Sequence, residues 1–558
     1  MLRKLDFLLY ILITVILLLG PLWLTLDFKR VKLVPPDSFY MLPDPFWPIV
    51  IILLGLLFYF VYRGDVSLVP LIAAYLILIF PYIQWPIIFG WDQYLHTAIA
   101  NDAAMGNVAK SAYTIYGLSY PGSYILMNTV RYIIGMDYLY VATILSLIVR
   151  IASLIMIYIL IRILFNDKLT YVAFSLFLLS NYRFADYFQF SPQAHALPMF
   201  LLSLCLCLKP ISRNGLAVVV LLVFSIVITH IFTSILMLTT FLGLYFVSGF
   251  FQSIKRRQLL FLSALGLITW FSWHTHVAVN IIEQGSIHLH NAFTDVTEIY
   301  SLITELVSPA STFGRSIYNE ILLRYRQGFL LFIVASALIG SIFGFKEHKV
   351  RLFIGVLFGT MLFSFALIIL SEPPSRIWLD RVVLLGLVTP VILATYCLAR
   401  LFKKKEHFVK ILSYVCILLI PLSFFADFQT VYLYAVKDWE KAPSAILFTY
   451  PNRNLDITSD SISLIFLRYL SSILNRDYIF TGYVLNRFLD NPASLYEVKQ
   501  LLSSSLILRS YRQKVDWFYN QGIETSSWDR LDKVFSTNFN FTKIYDNDYA
   551  QIYFNSLK

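Results

Sequence analysis

Two potential proton-transfer groups, Asp92 and His96, lie in the stretch FGWDQYLHTAIANDAAMGN at residues 89–107. They are four residues apart, so a helix would place both side chains on one face. Asp92 follows three strongly apolar segments, where a membrane helix is expected to end. A carboxylate beside lipid is partly desolvated and therefore a better proton acceptor, which suits a general base. The competing interpretation is an N-cap, with Asp92 starting an amphipathic helix that lies flat on the membrane surface.

Two further polar residues are candidates for contact with a substrate. Asp102 is a second acid ten residues beyond Asp92, and it indicates either a divalent-ion ligand or an ordinary aspartate on a surface helix. His230 follows Thr229 and interrupts an apolar segment. Such a break is typical of a functional position within a span, and it also fits the tip of a helix hairpin.

The loop EPPSRIWLDR at residues 372–381 offers guanidinium groups beside the predicted membrane. Arg376 and Asp380 are spaced to pair on a helix, which leaves Arg381 available. A fixed guanidinium suits a lipid phosphate, and interfacial anchoring is the alternative. Two His-x-His pairs, at 274/276 and 288/290, lack a cysteine or acidic ligand at a known spacing, so we predict no metal site.

Composition predicts a polytopic α-helical membrane protein. Hydrophobic residues make up 58% of the chain and charged residues only 14%, against about 25% in soluble proteins. The four cysteines all lie in apolar segments and are expected to be free and buried. The net charge is +11, yet residues 427–558 contain 14 basic and 14 acidic residues, so the excess lies in the apolar part. Basic loops on one side of a membrane explain that excess, and nucleic-acid binding is excluded.

Apolar runs predict about thirteen transmembrane helices within residues 1–426. The predicted spans are 5–26, 46–62, 66–88, 138–165, 168–183, 191–208, 215–230, 233–251, 258–275, 328–345, 351–370, 380–402 and 408–426. The segment 120–135 opens with Pro-Gly and contains a charge, so we interpret it as re-entrant or interfacial. Lysine and arginine placement favours a cytoplasmic N-terminus, with the loop at 26–37 as the one exception.

This orientation places the chemically richer regions outside the cell. They are the loops 84–137 and 276–327, the loop 372–381, and residues 427–558. The last region has no membrane-length apolar run. Predicted helices at 461–474 and 494–504, with strands in YIFTGYVL, SLILRSY and FTKIYDNDYAQIYF, indicate a small extracytoplasmic α/β domain.

The early outer aspartate, the thirteen spans and the outer α/β domain together resemble the C-type glycosyltransferase superfamily, which includes protein mannosyltransferases, aminoarabinose transferases and oligosaccharyltransferases. The segments NYRFADYFQFSPQAHAL and THIFT resemble archaeal-type members. The resemblance implies that Asp92 is the essential acid. Many relatives have Asp-Glu or Asp-x-Asp there, whereas this chain has Asp92-Gln93, and no WWDYG motif is present.

The resemblance implies a multi-pass cell-membrane enzyme that moves a sugar from a polyprenyl-phosphate donor to a protein, lipid or glycan acceptor on the outer face. Asp92 would be the general base, and Arg376 or Arg381 would stabilise the leaving phosphate. His96, Asp102 and His230 would contact substrate. No cofactor is required on this interpretation; a divalent cation such as Mn²⁺ or Mg²⁺ is the alternative. The rival functions are a transporter or lipid flippase, and a non-catalytic membrane scaffold with an outer binding domain.

Overall fold

The structure is a computed structural model. It describes residues 55, 59, 91–105, 117–180, 190–209, 212–251, 256–279, 317–370, 386–401, 407, 410–416 and 419, and the strand residues 456–458, 479–480, 506–510, 541–546 and 550–555. Only the backbone is described at 91–92, 167–168, 249–251, 317–327, 365 and 367–370, and in the strands.

The described part of the chain up to residue 401 is folded into helices. In chain order they are α1 (Trp91–Ala104), α2 (Gly122–Ile134), α3 (Tyr138–Arg162), α4 (Asp167–Ser180), α5 (Pro192–Cys207), α6 (Arg213–Val227), α7 (Ile231–Phe251), α8 (Arg256–His276), α9 (Ile317–Gly344), α10 (His348–Leu370) and α11 (Val388–Leu401). Connections of three to five residues join α3 to α4, α5 to α6, α6 to α7 and α7 to α8, as expected for antiparallel neighbours.

The predicted spans coincide with helices α3 to α8, whose ends lie within three residues of the predicted ones. The main difference is α9, which begins at Ile317 and not at 328. Hydropathy predicted that the helix begins where the continuous apolar run begins, at residue 328. The helix itself also includes the preceding residues 317–327, which contain charged side chains. The predicted spans 5–26 and 66–88 and most of 46–62 and 408–426 lie outside the described residues.

Capping side chains explain where several helices begin. The carboxylate of Asp137 accepts a hydrogen bond from the backbone N–H of Leu139 at 2.9 Å, at the start of α3. The hydroxyls of Ser191 and Ser212 accept backbone N–H bonds at the starts of α5 and α6. Each cap satisfies one of the donors that the first helical turn leaves unpaired. Helix α2 ends at Gly135, whose φ of 72° suits glycine.

The core is held by close backbone packing as well as by apolar side chains. Helices α7 and α10 approach so closely that a Cβ at Gly359 would lie 2.5 Å from the Cα of Thr240. A Cβ at Gly243 would overlap the Gly355 carbonyl, and one at Gly340 would overlap the Leu393 carbonyl between α9 and α11. Small residues at helix contacts are typical of membrane bundles.

The outer surface of the helices is apolar. Large hydrophobic side chains are widely exposed, including Leu221 at 67%, Ile268 at 64%, Leu331 at 70% and Ile342 at 74%. Water would disfavour such a surface, and lipid would accept it. By length and composition two described helical segments, Tyr138–Arg162 and Ile231–Ser248, could cross a membrane. These observations indicate a membrane location.

The described strands near the C-terminus form a five-stranded mixed sheet in the order β2-β1-β3-β5-β4. The strands are β1 (Asp456–Thr458), β2 (Ile479–Phe480), β3 (Leu506–Ser510), β4 (Phe541–Asp546) and β5 (Ala550–Asn555). β1 pairs in parallel with β2 and β3, and β5 pairs antiparallel with β3 and β4. The predicted β4–β5 hairpin is present, whereas β1 was not predicted. The predicted helices 461–474 and 494–504 lie outside the described residues.

Candidate functional site

Helix α1 is buried, which corrects the prediction of an amphipathic helix on the membrane surface. Every residue from Gln93 to Asp102 is buried, including the polar Thr97 and Asn101. Burying polar side chains costs free energy, and part of this cost is offset within the helix. The Thr97 hydroxyl donates to the carbonyl oxygen of Gln93 at 2.8 Å. Sequence periodicity missed this because α1 carries polar side chains on several faces, and its neighbours satisfy them.

Gln93 holds the first turn of α1 against two other helices. Its Nε2 donates to the hydroxyl of Thr143 on α3 at 3.2 Å. Its Oε1 accepts the backbone N–H of Phe190, just before α5, at 3.1 Å. Both ends of this buried carboxamide are therefore satisfied, and the start of α1 has a fixed position between α3 and α5.

The other end of α1 is held through α2. The Asn128 Nδ2 donates to the carbonyl of Ala100 at 3.0 Å, and its Oδ1 accepts the hydroxyl of Tyr138 at 2.9 Å. The guanidinium of Arg131 lies 4.2 Å above the Tyr138 ring. Since residue 93 meets Thr143 and residue 100 lies near Tyr138, α1 runs antiparallel to α3.

Helix α2 has the length and surface of an interfacial helix, in line with the predicted re-entrant or interfacial segment. Its 13 residues extend about 20 Å, against about 30 Å for a bilayer core. Tyr124 and Met127 are buried on one side, and Ile125, Tyr132 and Ile133 are exposed by 59%, 91% and 75% on the other. The buried side faces α1.

His96 is buried at the centre of this arrangement. Its Nδ1 lies 2.8 Å from the hydroxyl oxygen of Tyr124 on α2. Its ring centroid is 6.5 Å from that of Phe190, which lies 4.6 Å edge-on from the ring of His195 on α5. Burial, with a smaller contribution from His195, lowers the pKa of His96 to about 3. His96 is therefore a neutral hydrogen-bonding group at physiological pH.

His195 was not predicted as a site residue, although it lies in the segment that carried the resemblance. Its side chain is 2% exposed, and neither ring nitrogen has a hydrogen-bond partner among the described residues. The backbone of Ser191 lies near the ring, but without the geometry of a hydrogen bond. Buried polar groups of native proteins are nearly always paired, so this histidine is an exception that calls for an explanation.

His230 forms the tip of the α6–α7 hairpin, as one of the two predictions had it. Its Nδ1 accepts the backbone N–H of Thr233 at 3.2 Å and lies 2.9 Å from the Thr233 hydroxyl. The imidazole thus caps the first turn of α7, and its Nδ1 carries no proton. A role in substrate binding stays a prediction.

The segment before α2 joins the same end of the bundle to α8. The hydroxyl of Tyr120 lies 2.7 Å from Nε2 of His274, and the Ser119 carbonyl accepts the indole N–H of Trp273 at 2.8 Å. The Nδ1 of His274 lies 2.7 Å from the Trp270 carbonyl, which can only accept, so Nδ1 carries the proton. In the neutral ring Nε2 then accepts from Tyr120, and both nitrogens are satisfied.

A tight backbone contact completes this attachment. The Gly122 N–H donates to the carbonyl of Ile228 at 3.0 Å. A Cβ at Gly122 would overlap the Thr229 hydroxyl and lie 3.2 Å from the Ile228 carbonyl. The sequence signal was the Pro-Gly pair at 121–122, which predicted a turn but not its partner.

The remaining predicted residues divide between described and undescribed positions. Asp92 is the second residue of α1, within the first turn, and its side chain lies outside the described residues. Asp102 is 4% exposed, which contradicts the surface-helix alternative. Arg376 and Arg381 lie outside the described residues. Among the described side chains no group of three or more His, Cys, Asp or Glu residues could hold a metal ion.

The four cysteines are free and buried, as predicted. Arg150, at the middle of α3, is fully buried.

The contacts described above bring the polar side chains of Gln93, His96, Tyr124 and His195 together where α1, α2, α3 and α5 meet. Asp92 shares a turn of α1 with this cluster.

No protein-family model and no curated protein matches the chain. Among solved structures, it is similar to an oligosaccharyltransferase from Archaeoglobus fulgidus, in complex with Zn and sulfate, with 14% identity over 84% of this chain and 69% of that one and a TM-score of 0.44. It is similar to the same organism's AglB in complex with an inhibitory peptide and a dolichol-phosphate, with 13% identity over 92% and 74% of the two chains and a TM-score of 0.43.

A third similar structure is ArnT from Cupriavidus metallidurans in the apo state, with 10% identity, 86% of this chain and 96% of that chain covered, and a TM-score of 0.44. These are proteins that the chain resembles over most of its length. At such identities and TM-scores the likeness transfers neither the fold nor the activity to this chain.

Proposed function

We propose that the chain is an integral-membrane glycosyltransferase that moves a sugar from a polyprenyl-phosphate donor to an acceptor on the outer face, with Asp92 as general base. The supporting observation is the placement of α1. This helix carries Asp92 and His96, is buried among apolar helices, and is fixed at both ends through Gln93 and Asn128. A catalytic base needs such rigid support, because small misplacements reduce the rate strongly.

The proposed reaction uses each group for one task. The acceptor hydroxyl gives its proton to the Asp92 carboxylate while its oxygen forms a bond to the sugar C1. The bond between C1 and the phosphate oxygen breaks, and the lipid phosphate leaves with the electron pair. Arg376 or Arg381 stabilises that phosphate charge, so the leaving group needs no proton. We expect inversion at C1, which is the usual outcome in the superfamily that the sequence resembles.

The test is sugar transfer by the purified full-length protein in nanodiscs, using radiolabelled lipid-linked sugars with and without a chelator. Solved neighbours contain a dolichol-phosphate or a tethered acceptor peptide, so dolichol-linked donors and peptide acceptors are the first to assay. We expect Asp92→Asn to lose at least about 100-fold in transfer rate, the usual effect of removing a general base.

Asp137→Asn is the matched control, because Asp137 is exposed and asparagine also caps a helix. It should retain wild-type transfer. Wild-type rates from Asp92→Asn with an unchanged melting temperature would contradict the proposed base.

One observation favours the rival function of a transporter or lipid flippase. Arg150 is fully buried in the middle of α3, and charges within membrane helices often mark a transport path. Movement of a fluorescent polyprenyl phosphate across vesicles, without any sugar transfer, would support that alternative.

A further inference from the structure

Two buried imidazoles, His96 on α1 and His195 on α5, lie close together, and His195 has more hydrogen-bonding capacity than its surroundings use. The hydroxyl oxygen of Tyr124 lies 2.8 Å from Nδ1 of His96. Both nitrogens of His195 are without a hydrogen-bond partner among the described residues, although that side chain is 2% exposed. Leaving a buried polar group unpaired costs about 1–3 kcal/mol, so the unpaired imidazole of His195 calls for an explanation.

Contacts between α1 and the start of α5 fix the positions of the two histidines relative to each other. The ring of Phe190 packs edge-on to His195 at 4.6 Å and lies 6.5 Å from His96. The backbone N–H of Phe190 is bound by Gln93, three residues before His96 on α1. The rings of His96 and His195 therefore both lie beside the ring of Phe190, on helices whose relative position is fixed by the Gln93 contact.

The chemistry of these groups selects a class of ligand. A neutral imidazole can donate one hydrogen bond and accept another, and a hydroxyl group can also do both. The rings of Phe190 and Tyr124 supply apolar surface beside these imidazoles. A phosphate would select cationic partners, and a metal ion would need a third ligand that the described side chains do not supply. A polyhydroxylated ring with apolar C–H faces fits both features.

We propose that His96, His195 and Phe190 form the subsite for the hydroxyl groups of the transferred sugar. This rests on the proposed glycosyl transfer and adds where the sugar lies. His195 and His96 bind ring hydroxyls, Phe190 contacts the C–H face, and Tyr124 and Gln93 position these groups. The sugar then lies beside the first turn of α1, which carries Asp92.

The test separates sugar recognition from lipid-phosphate recognition. The full-length protein in nanodiscs is titrated with farnesyl phosphate, and with farnesyl phosphates bearing glucose, mannose, galactose or N-acetylglucosamine. We expect wild-type protein to bind at least one glycosylated lipid about 10-fold more tightly than farnesyl phosphate, the gain expected from one or two net hydrogen bonds. His195→Phe should reduce this preference below about 2-fold and leave farnesyl phosphate affinity unchanged.

Two further variants make the test specific. His195→Gln keeps an amide donor and acceptor and should restore part of the preference. His276→Phe is the same substitution at an exposed histidine near the end of α8, and it should leave the preference unchanged. Because phenylalanine fills the His195 site without polar atoms, we expect His195→Phe to fold at least as stably as wild type.

The outcomes distinguish this subsite from the proposed function. If His195→Phe keeps the sugar preference, the imidazole is structural or hydrated and the subsite is overturned. If the wild type transfers sugar yet binds all lipids equally, the proposed subsite is contradicted and the proposed glycosyl transfer is supported. If the wild type neither prefers nor transfers any sugar, the proposed function fails.

Discussion

His274 and His195 are both almost completely buried at the same end of the bundle, but their surroundings differ. His274 has a partner at each ring nitrogen, the Tyr120 hydroxyl and the Trp270 carbonyl, and stacks on the Trp270 ring at 4.2 Å. His195 makes an edge-on ring contact with Phe190 and has no hydrogen-bond partner among the described residues. The first arrangement stabilises the fold, and the second leaves hydrogen-bonding capacity for a ligand.

The same contrast extends to the segments around the two residues. The segment 119–122 attaches α2 to α8 and to the α6–α7 hairpin through paired groups and a tight glycine contact. At the margin of the α1–α5 contact, Gln93 binds the backbone N–H of Phe190. Substitutions in the first region should therefore change stability, and those in the second should change ligand binding.

Gly122→Val should have the largest effect on stability. The new side chain would overlap Thr229 and crowd the Ile228 carbonyl, which forces α2 away from the hairpin tip. We expect a loss of about 3 kcal/mol, at the upper end for overpacking. The measurement is thermal unfolding in detergent. Gly328→Val is the control, because nothing lies within 4 Å of a Cβ at Gly328; equal losses in the two variants would contradict the tight contact.

His274→Phe should have an intermediate effect. The ring still stacks on Trp270, but the hydroxyl of Tyr120 loses its 2.7 Å partner. We expect a loss of about 1.5 kcal/mol in unfolding free energy, because one buried hydrogen bond is removed. His195→Phe is the matched comparison and should lose nothing. If both variants unfold alike, the distinction between the two histidines is wrong.

The pH dependence should show the smallest effect when it is expressed per pH unit. The pKa of His96 is lowered to about 3 in the folded protein, and an unfolded histidine titrates near 6.5. Between those values the unfolded chain binds the extra proton, so stability rises with pH by about 1.4 kcal/mol per unit at most. We expect the melting temperature to fall on acidification from pH 6.5, and His96→Gln to reduce that slope. An unchanged slope would contradict the burial of a neutral imidazole.

Part of the fold could be predicted because its causes are local. Apolar runs fixed α3 to α8 to within three residues, and Asp137, Ser191 and Ser212 mark three helix starts by capping chemistry. The DND turn placed the β4–β5 hairpin. The start of α9 was missed because hydropathy does not report a helix that continues through charged residues.

The candidate site could be predicted only in part. Spacing predicted Asp92 and His96 as candidates, and the interruption of an apolar run predicted His230; their roles stay predictions. His195 was overlooked because a histidine inside an apolar segment has no local signal of an unpaired ring. In the sequence, Gln93 stood out only because similar proteins often have an acidic residue there. The structure shows that Gln93 fixes α1 to α3 and α5.

The sequence by itself determined that this chain is an apolar helical bundle with a candidate acid and a histidine on one helix face, because apolar content and helical spacing are properties of neighbouring residues. Only the tertiary structure decided that α1 is buried, that Tyr120 meets His274 across 154 positions and that Phe190 meets Gln93 across 97. Those contacts depend on how helices distant in the chain pack against each other. That packing determines which buried polar groups are paired and which can bind a ligand.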